Sequence, residues 1–426
     1  MNRKILIISP YFPPSNAADM QRIRMSLSYF ESFGWDASVV TVDKKYADIP
    51  KDDLLLQSIP AHIKIHTVKA LNKAWTSKFG LGSIALRSLW FYLKKVNKLL
   101  KNEKFDLIYF STTQFPVCVL GAYWKKHFGV PFIIDMQDPW YSDYYSDKPK
   151  EQQPPKYFIA YYLHKYLEPV AIKSASGLIS VSEKYISDLK NRYPEIADLP
   201  SATITFGAYE PDLKIAADNK NNFKPLLDPD FKNVVYIGRG GMDMHEAIAP
   251  VFKTIADDLN CKNPEYRKLK FYFIGTSYAA DKQATPSILP LARQYGIEKS
   301  IIEITNRISY YYTLLTLQEA DALFIPGSDS PAYTASKIFP YLLINKPLLA
   351  IFNSKSPAIN TLQEYGALHV YSYDDTPNVN LKIKAFLTQV INGSEKPQYN
   401  ATAVKKYSAQ NMTQLQCSFF NEIING

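Results

Sequence analysis

"KILIISPYFPPSNAADMQRIRMSLSYFESFGWDASVVTVD", residues 4–43, decides the fold class. "KILIIS" (4–9) is a short Ile-rich apolar run without alternation, the pattern of a strand buried on both faces of a parallel sheet. "PYFPPSNAAD" (10–19) follows as a loop. "MQRIRMSLSYFESFG" (20–34) has helical periodicity and stops on Gly34. "DASVVTVD" (36–43) is the next strand, so one βαβ unit is complete by Asp43.

The rhythm continues outward from there. "DLIYFST" (106–112) and "PFIIDMQD" (131–138) read as strands around the helical "PVCVLGAYWKKHFG" (116–129). "ASGLISVS" (175–182) is a further strand, followed by the helical "EKYISDLKNRY" (183–193). Strands alternating with helices predict an α/β doubly wound parallel sheet. A polar, proline-bearing stretch at 217–233 reads as a linker, and a second series then opens with "VVYIGRGG" (234–241). It continues with "KFYFIGTS", "IIEITNR", "ADALFIPGS" and "KPLLAIF", and the tail 401–426 reads as a pair of helices. A chain of 426 residues suits two domains of about 200 residues each. The first is placed at 1–207 and the second at 208–408, both Rossmann-like, with ligands expected at the carboxyl ends of their strands. Two such sheets facing across a cleft would hold a ligand between the domains.

Composition narrows the function classes. Hydrophobic residues at 46% and charged residues at 21% fit a soluble globular protein. The formal charge of +9 favours anionic partners: nucleic acid, phosphate ligands or anionic lipid. No nucleic-acid-binding module accompanies that charge, so no nucleic-acid partner is expected. Thirty-one tyrosines supply apolar area with a polar tip, suited to sugar-stacking surfaces and also to half-buried faces. Cys118, Cys261 and Cys417 are far apart and match neither a metal spacing nor a disulfide framework, which fits a reducing cytosol. The opening residues read directly into a strand rather than as a signal peptide. No window has the ~20 apolar residues of a membrane span. The expected location is cytoplasmic.

Candidate chemistry sits at strand ends. In the first loop, Ser15, Asn16, Ala17 and Ala18 are small enough for backbone to approach a ligand, although no dinucleotide fingerprint is present. Taken alone, that loop reads as an ordinary polar βα connection. In "YIGRGGMDMHEA" (236–247), Gly238, Gly240 and Gly241 relax the backbone around Arg239, whose forked cation suits phosphate. His245 either assists or belongs to the surface of the following helix. In "TASKIFPYLLINKPLLAI" (334–351), Pro340 forces a helix to begin near Ser336 or Lys337. Its first N–H groups, the helix dipole and Lys337 then form an anion site. In "FIIDMQDPWYSDYY" (132–145), Asp135 and Asp138 leave a strand beside Trp140, Tyr141, Tyr144 and Tyr145. Carboxylates beside aromatic rings suit a sugar, and Asp138 is a candidate base for an acceptor hydroxyl. Asp138-Pro139 is also turn chemistry, and one of the two acids is expected to be structural. Residues 76–102 form a basic amphipathic segment, read either as core packing or as a peripheral membrane contact. No metal cluster, Ser-His-Asp arrangement or P-loop is found, and no metal or cofactor is expected.

These stretches together resemble the family-four (group 1) glycosyltransferases of the GT-B fold. The likeness rests on the order of "ILIISPYFPP", "FGWDASVVTV", "FIIDMQDPW", "ASGLISVSEKY", "YIGRGG", "ADALFIPGS" and "SKIFPYLLINKPLLAI". It implies a nucleotide-diphosphate sugar held by the second domain and an acceptor held by the first. It also implies retention of anomeric configuration without an essential metal, and a final helix, 409–426, packing back on the first domain. Arg239 and Lys337 would hold the donor phosphates, with Gly238 and Gly240 allowing close approach. Ile308 would meet the base through its backbone, and residues 333–336, including Tyr333, Thr334 and Ser336, would supply amides. Asp138, or the loop near Asn16, would border the sugar. The resemblance departs at Pro340 and Ala332, where the family places acids, the former to hold the ribose hydroxyls. The usual lysine after "YIGR" is absent too. The function implied is a retaining transferase acting on a lipid-linked or polysaccharide acceptor in surface glycan biosynthesis, at the inner face of the cell membrane. The alternatives are a non-catalytic nucleotide-sugar-binding or scaffold protein and a sugar-nucleotide epimerase of the same fold.

Overall fold

The structure, a computed structural model, describes residues 2–141, 157–261, 263–277, 284–331, 338–374, 377–395, 397 and 399–426. The chain divides into two compact units, residues 1–207 with 409–426, and residues 208–408.

The first unit carries β1 (Arg3–Ile8), β2 (Trp35–Val42), β3 (Lys64–Val68), β4 (Leu107–Ser111), β5 (Phe132–Met136), β6 (Gly177–Ser180) and β7 (Ser201–Thr203). They pair in the order β3-β2-β1-β4-β5-β6-β7, and every pairing is parallel. Ile5, Leu6, Ile7 and Ile8 have no solvent exposure, as an apolar run in a sheet covered on both faces requires. Its helices are α1 (Gln21–Ser26), α2 (Lys73–Thr76), α3 (Ile84–Asn102), α4 (Val119–Phe128), α5 (Tyr157–Ile172) and α6 (Glu183–Arg192).

The second unit carries β8 (Lys232–Ile237), β9 (Leu269–Ile274), β10 (Ile301–Ile304), β11 (Ala322–Pro326), β12 (Leu348–Phe352) and β13 (His369–Ser372). They form an all-parallel sheet in the order β10-β9-β8-β11-β12-β13. Its helices are α7 (Pro211–Asp218), α8 (His245–Asn260), α9 (Leu289–Gln294), α10 (Tyr310–Glu319), α11 (Ile338–Ile344), α12 (Pro357–Tyr365), α13 (Val379–Ile391) and α14 (Ala401–Lys406). Both expected parallel sheets are present. In each, strand order reverses once, between β1 and β4 and between β8 and β11, and such switch points are where open sheets bind ligands.

The last helix, α15 (Ala409–Asn425), belongs to the first unit. Phe420 is fully buried, with its ring 5.5 Å from Trp35 and 5.0 Å from Tyr109. Gln416 accepts from Ser26 Oγ at 2.7 Å and donates to Tyr109 Oη at 3.0 Å. A Cβ on Gly177 would lie 2.8 Å from Ile423, so the glycine is what lets the helix seat on β6.

Two expectations need correction. The helix over 20–34 stops at Ser26, whose carbonyl accepts from both Tyr29 and Phe30 N–H and tightens the chain into turns. A 3₁₀ turn, Glu31–Phe33, ends on Gly34 at φ +82°. The stretch 217–233 is not a linker: it lies inside the second unit. Ahead of it, α7 is fixed to α10 by Tyr310 and Tyr311, whose hydroxyls both donate to buried Asp212 at 2.9 Å.

Candidate functional site

At the β1/β4 switch point the central group is Asp19, at 3% exposure. Its carboxylate accepts from Thr112 Oγ1 at 2.8 Å, Thr113 N at 2.9 Å and Thr113 Oγ1 at 3.3 Å. Burial pushes the Asp19 carboxyl up despite those donors. Asp138 stands exposed at the end of β5. Partial enclosure by protein and, second, the negative charge of Asp19 raise its carboxyl above the ordinary range. Tyr185 on α6 is raised by burial and by the charge of Asp138. Two carboxylates of like charge and a phenol therefore share one strand-end region.

Asp135 does not share it. Expected in the loop, it lies within β5 with no exposure, 2.8 Å from the equally buried Arg22. Tyr109 Oη, Ser111 Oγ and Gln137 Nε2 donate to the same carboxylate at 3.1, 3.0 and 3.0 Å. Arg22 also donates to Ile204 O at 2.7 Å, and its guanidinium lies 4.6 Å from the Phe206 ring centre. A charge pair sealed this way binds α1 and the segment after β7 to the sheet, and no reactant reaches it. Asp135 is a structural acid.

Ser15 and Asn16 are also spoken for. Ser15 is buried and donates its N–H to Phe12 O, and Asn16 donates to Pro50 O at 2.9 Å. Both backbone amides are already bonded to protein, and the loop is held to the segment around Pro50.

Beside Asp138, Trp140 is 6% exposed, with Phe115 stacked at 5.3 Å and its Nε1 donating to His164 Nδ1 at 2.8 Å. Nδ1 accepts that hydrogen bond, and burial lowers the His164 pKa. A cavity of about 130 Å³ is bordered by Trp140, Tyr141, Glu168, Tyr185 and Arg192. The Arg192 guanidinium lies 4.2 Å from the Tyr141 ring centre and 2.7 Å from buried Glu168. Burial raises the Glu168 carboxyl. Rings with a carboxylate and a forked cation suit a small polyhydroxylated group. Tyr144 and Tyr145 lie outside the described residues.

At the β8/β11 switch point Arg239 ends β8, about one-third exposed. Its two terminal nitrogens meet both oxygens of Asp243 at 2.9 and 2.5 Å, a forked pair. That contact holds the Asp243 carboxyl below its usual range. Asp243 O in turn accepts from Asp329 N at 2.7 Å, joining the loops after β8 and β11. The flanking glycines differ from expectation. Gly238 N–H donates to Ile274 O and Gly240 N–H to Thr276 O. A Cβ would fall 2.5 Å from Tyr236 Oη at Gly238 and 2.7 Å from Ser287 Oγ at Gly240. These glycines admit neighbouring protein. His245 opens α8 with its ring on Ser287 O at 2.8 Å, bonded to the segment before α9.

Ile308 is half-buried in the loop between β10 and α10. Tyr341, next to Pro340, accepts from Ile237 N at 2.7 Å and donates to Ile237 O, which brings the first turns of α11 to the end of β8. Ala332, Tyr333, Thr334, Ser336 and Lys337 lie outside the described residues. Among the described residues, no group of three or more His, Cys, Asp or Glu gathers as metal ligands.

Sequence reasoning did not single out Asp19, Thr112, Thr113, Tyr185, Glu168 or Arg192. The threonines carried a usable signal, since they directly follow the apolar run of β4. Glu168 and Arg192 carried none, because they meet only in three dimensions.

The whole chain is similar to solved structures of the GT-B fold. Sucrose-phosphate synthase from Thermosynechococcus elongatus matches with a TM-score of 0.58 at 12% identity over 100% of both chains. HepE from Anabaena, in complex with UDP, matches at 0.54 and 15% identity, covering 98% of this chain and 100% of that one. An α,α-trehalose-phosphate synthase (UDP-forming) from Burkholderia xenovorans, in complex with glucose-6-phosphate, matches at 0.55 and 10%, again over 98% and 100%. At these identities the likeness establishes the fold. No family model and no curated protein matches the sequence.

Proposed function

We propose that this chain is a glycosyltransferase whose 208–408 unit holds a nucleoside-diphosphate sugar and whose 1–207 unit holds the acceptor. The observation that carries the reading is Arg239, a fork at the β8/β11 switch point already gripping an oxyanion, the Asp243 carboxylate. A donor diphosphate presents the same planar pair of anionic oxygens. The bound UDP of the HepE structure, a protein of the same fold, makes a nucleoside diphosphate the natural ligand to test.

In the reaction the bond from the sugar's anomeric carbon to the diphosphate breaks, and a bond to an acceptor hydroxyl oxygen forms with configuration retained. Arg239, with Lys337 as the second cation of the sequence, stabilises the departing diphosphate in place of a metal. The acceptor proton passes to Asp138, whose raised pKa improves it as a base. The Trp140–Tyr141–Glu168 cavity receives a sugar unit of a lipid-linked or polysaccharide acceptor. Work on surface glycan at the inner face of the cell membrane, with a membrane contact through 76–102, belongs to the same reading. Among the described residues, no helix is long and apolar enough to cross a membrane.

A thermal-shift titration with UDP, GDP, ADP, CDP and dTDP tests the donor site. One diphosphate should raise Tm, and Arg239→Ala should abolish that shift with its own fold intact. No shift with any of them would favour the scaffold reading, which Pro340 and Ala332 motivate. Turnover of donor without acceptor to an isomeric sugar nucleotide would indicate the epimerase.

A further inference from the structure

The loop that follows β3 and the start of α3 leave large apolar side chains substantially exposed. Trp75 and Phe79 are 60% and 62% exposed, with ring centres 5.6 Å apart, and Trp90 on α3 is 62% exposed. Leu71 and Leu81 add to the same segment, at 46% and 43%. A pair of rings this large exposed to water, with further exposed apolar side chains along the same segment, marks an interaction surface.

The loop is held firmly from behind. Arg87, 3% exposed, donates to Leu71 O at 2.9 Å, Gly82 O at 3.1 Å and Tyr46 O at 3.1 Å. Leu71 N–H returns a bond to Arg87 O at 2.9 Å. One buried guanidinium therefore clamps both ends of the protrusion, so its aromatic tips are displayed rather than left loose.

Charge identifies what they meet. From Leu54 to Asn102 the chain contains no Asp or Glu. Lys69, Lys78 and Lys94 are exposed along the same stretch, Lys94 Nζ lying 5.6 Å from the Trp90 ring centre, and Lys73 pairs with Asp48. Indole and phenyl rings on a stretch that carries lysines and no acid of its own fit the headgroup layer of an anionic bilayer.

We propose that residues 69–94 form a membrane-docking wedge that inserts Trp75 and Phe79 into an anionic leaflet. The wedge departs from the carboxyl end of β3, and the sheet is parallel, so it lies on the same edge as the Asp19–Asp138 region. A leaflet engaged there supplies a lipid-borne acceptor on the side where it would be used. This shifts the contact from the body of α3 to its start, because Lys98 and Lys101 lie toward the opposite edge. The position rests on the transferase reading only for the identity of the acceptor; docking itself does not.

The test is co-flotation of the full chain with vesicles of phosphatidylcholine alone and of an equimolar mixture with phosphatidylglycerol. Wild type should float with the anionic vesicles, less so at high salt. Trp75→Ser/Phe79→Ser should partition at least about tenfold more weakly, from lost aromatic burial, with unchanged Tm and unchanged nucleotide shift. Lys78→Glu/Lys94→Glu should lose the preference for anionic lipid. Absence of wild-type binding, or undiminished binding by Trp75→Ser/Phe79→Ser, would overturn the wedge. So would self-association that the aromatic variant abolishes without any vesicle binding, since the patch would then join two copies. A failed nucleotide shift with intact flotation would remove the transferase reading and leave docking standing.

Discussion

Asp243→Asn should tighten binding of the nucleoside diphosphate. In the unliganded chain the Asp243 carboxylate occupies the Arg239 fork with contacts of 2.9 and 2.5 Å. A phosphate entering the fork has to displace it. Both side chains are about one-third exposed, so water screens the pair and its strength is that of a surface ion pair, about 0.2–1 kcal/mol. Removing that competition converts to roughly a 1.5- to fivefold lower Kd. Asparagine preserves the shape and leaves the backbone bond from Asp329 N in place. The pH dependence follows from the depressed Asp243 pKa. The latch is fully formed above the ordinary carboxylate pKa and is lost as pH falls through the lowered folded value. The variant's advantage should therefore be complete at neutral pH and should shrink with added salt. Isothermal titration of both proteins measures it. An unchanged or weaker Kd in Asp243→Asn would mean that Asp243 positions the fork instead of competing for it.

Three further outcomes follow from other parts of the molecule. Arg22→Ala leaves Asp135 buried without its partner and should cost about 3–5 kcal/mol in urea unfolding, whereas a loss near zero would show the pair to be dispensable. Asp19→Asn removes a negative charge that raises Asp138, so the acidic limb of the kcat/KM–pH profile should move to lower pH; a fixed limb would take Asp138 out of the proton step. Phe420→Ala empties the contact of α15 with Trp35 and Tyr109 and should cost about 3–5 kcal/mol, measured by denaturant titration, and a surface-like loss would mean α15 is only loosely seated.

The sequence by itself determined the two parallel sheets, because unbroken runs such as "KILIIS" and "DLIYFST" bury a strand on both faces whatever their neighbours. It also marked Asp138 and Arg239, since polar residues that directly follow such runs must emerge at a sheet edge. The edge strands β3, β7 and β13 escaped that reading: half their surface faces water, so Lys64, His66 and His369 break the apolar run. Only the tertiary structure decided the partners of the charges. Asp135 and Asp138 are three residues apart and look equivalent in "DMQD", yet Arg22, arriving from a distant segment, seals one while the other stays at the surface. Gly238 and Gly240 likewise read as room for a ligand until Tyr236 and Ser287 were seen to fill it. A strand is written in the residues that form it, whereas the environment of a carboxylate, a guanidinium or a glycine is set by whatever the fold carries to its side.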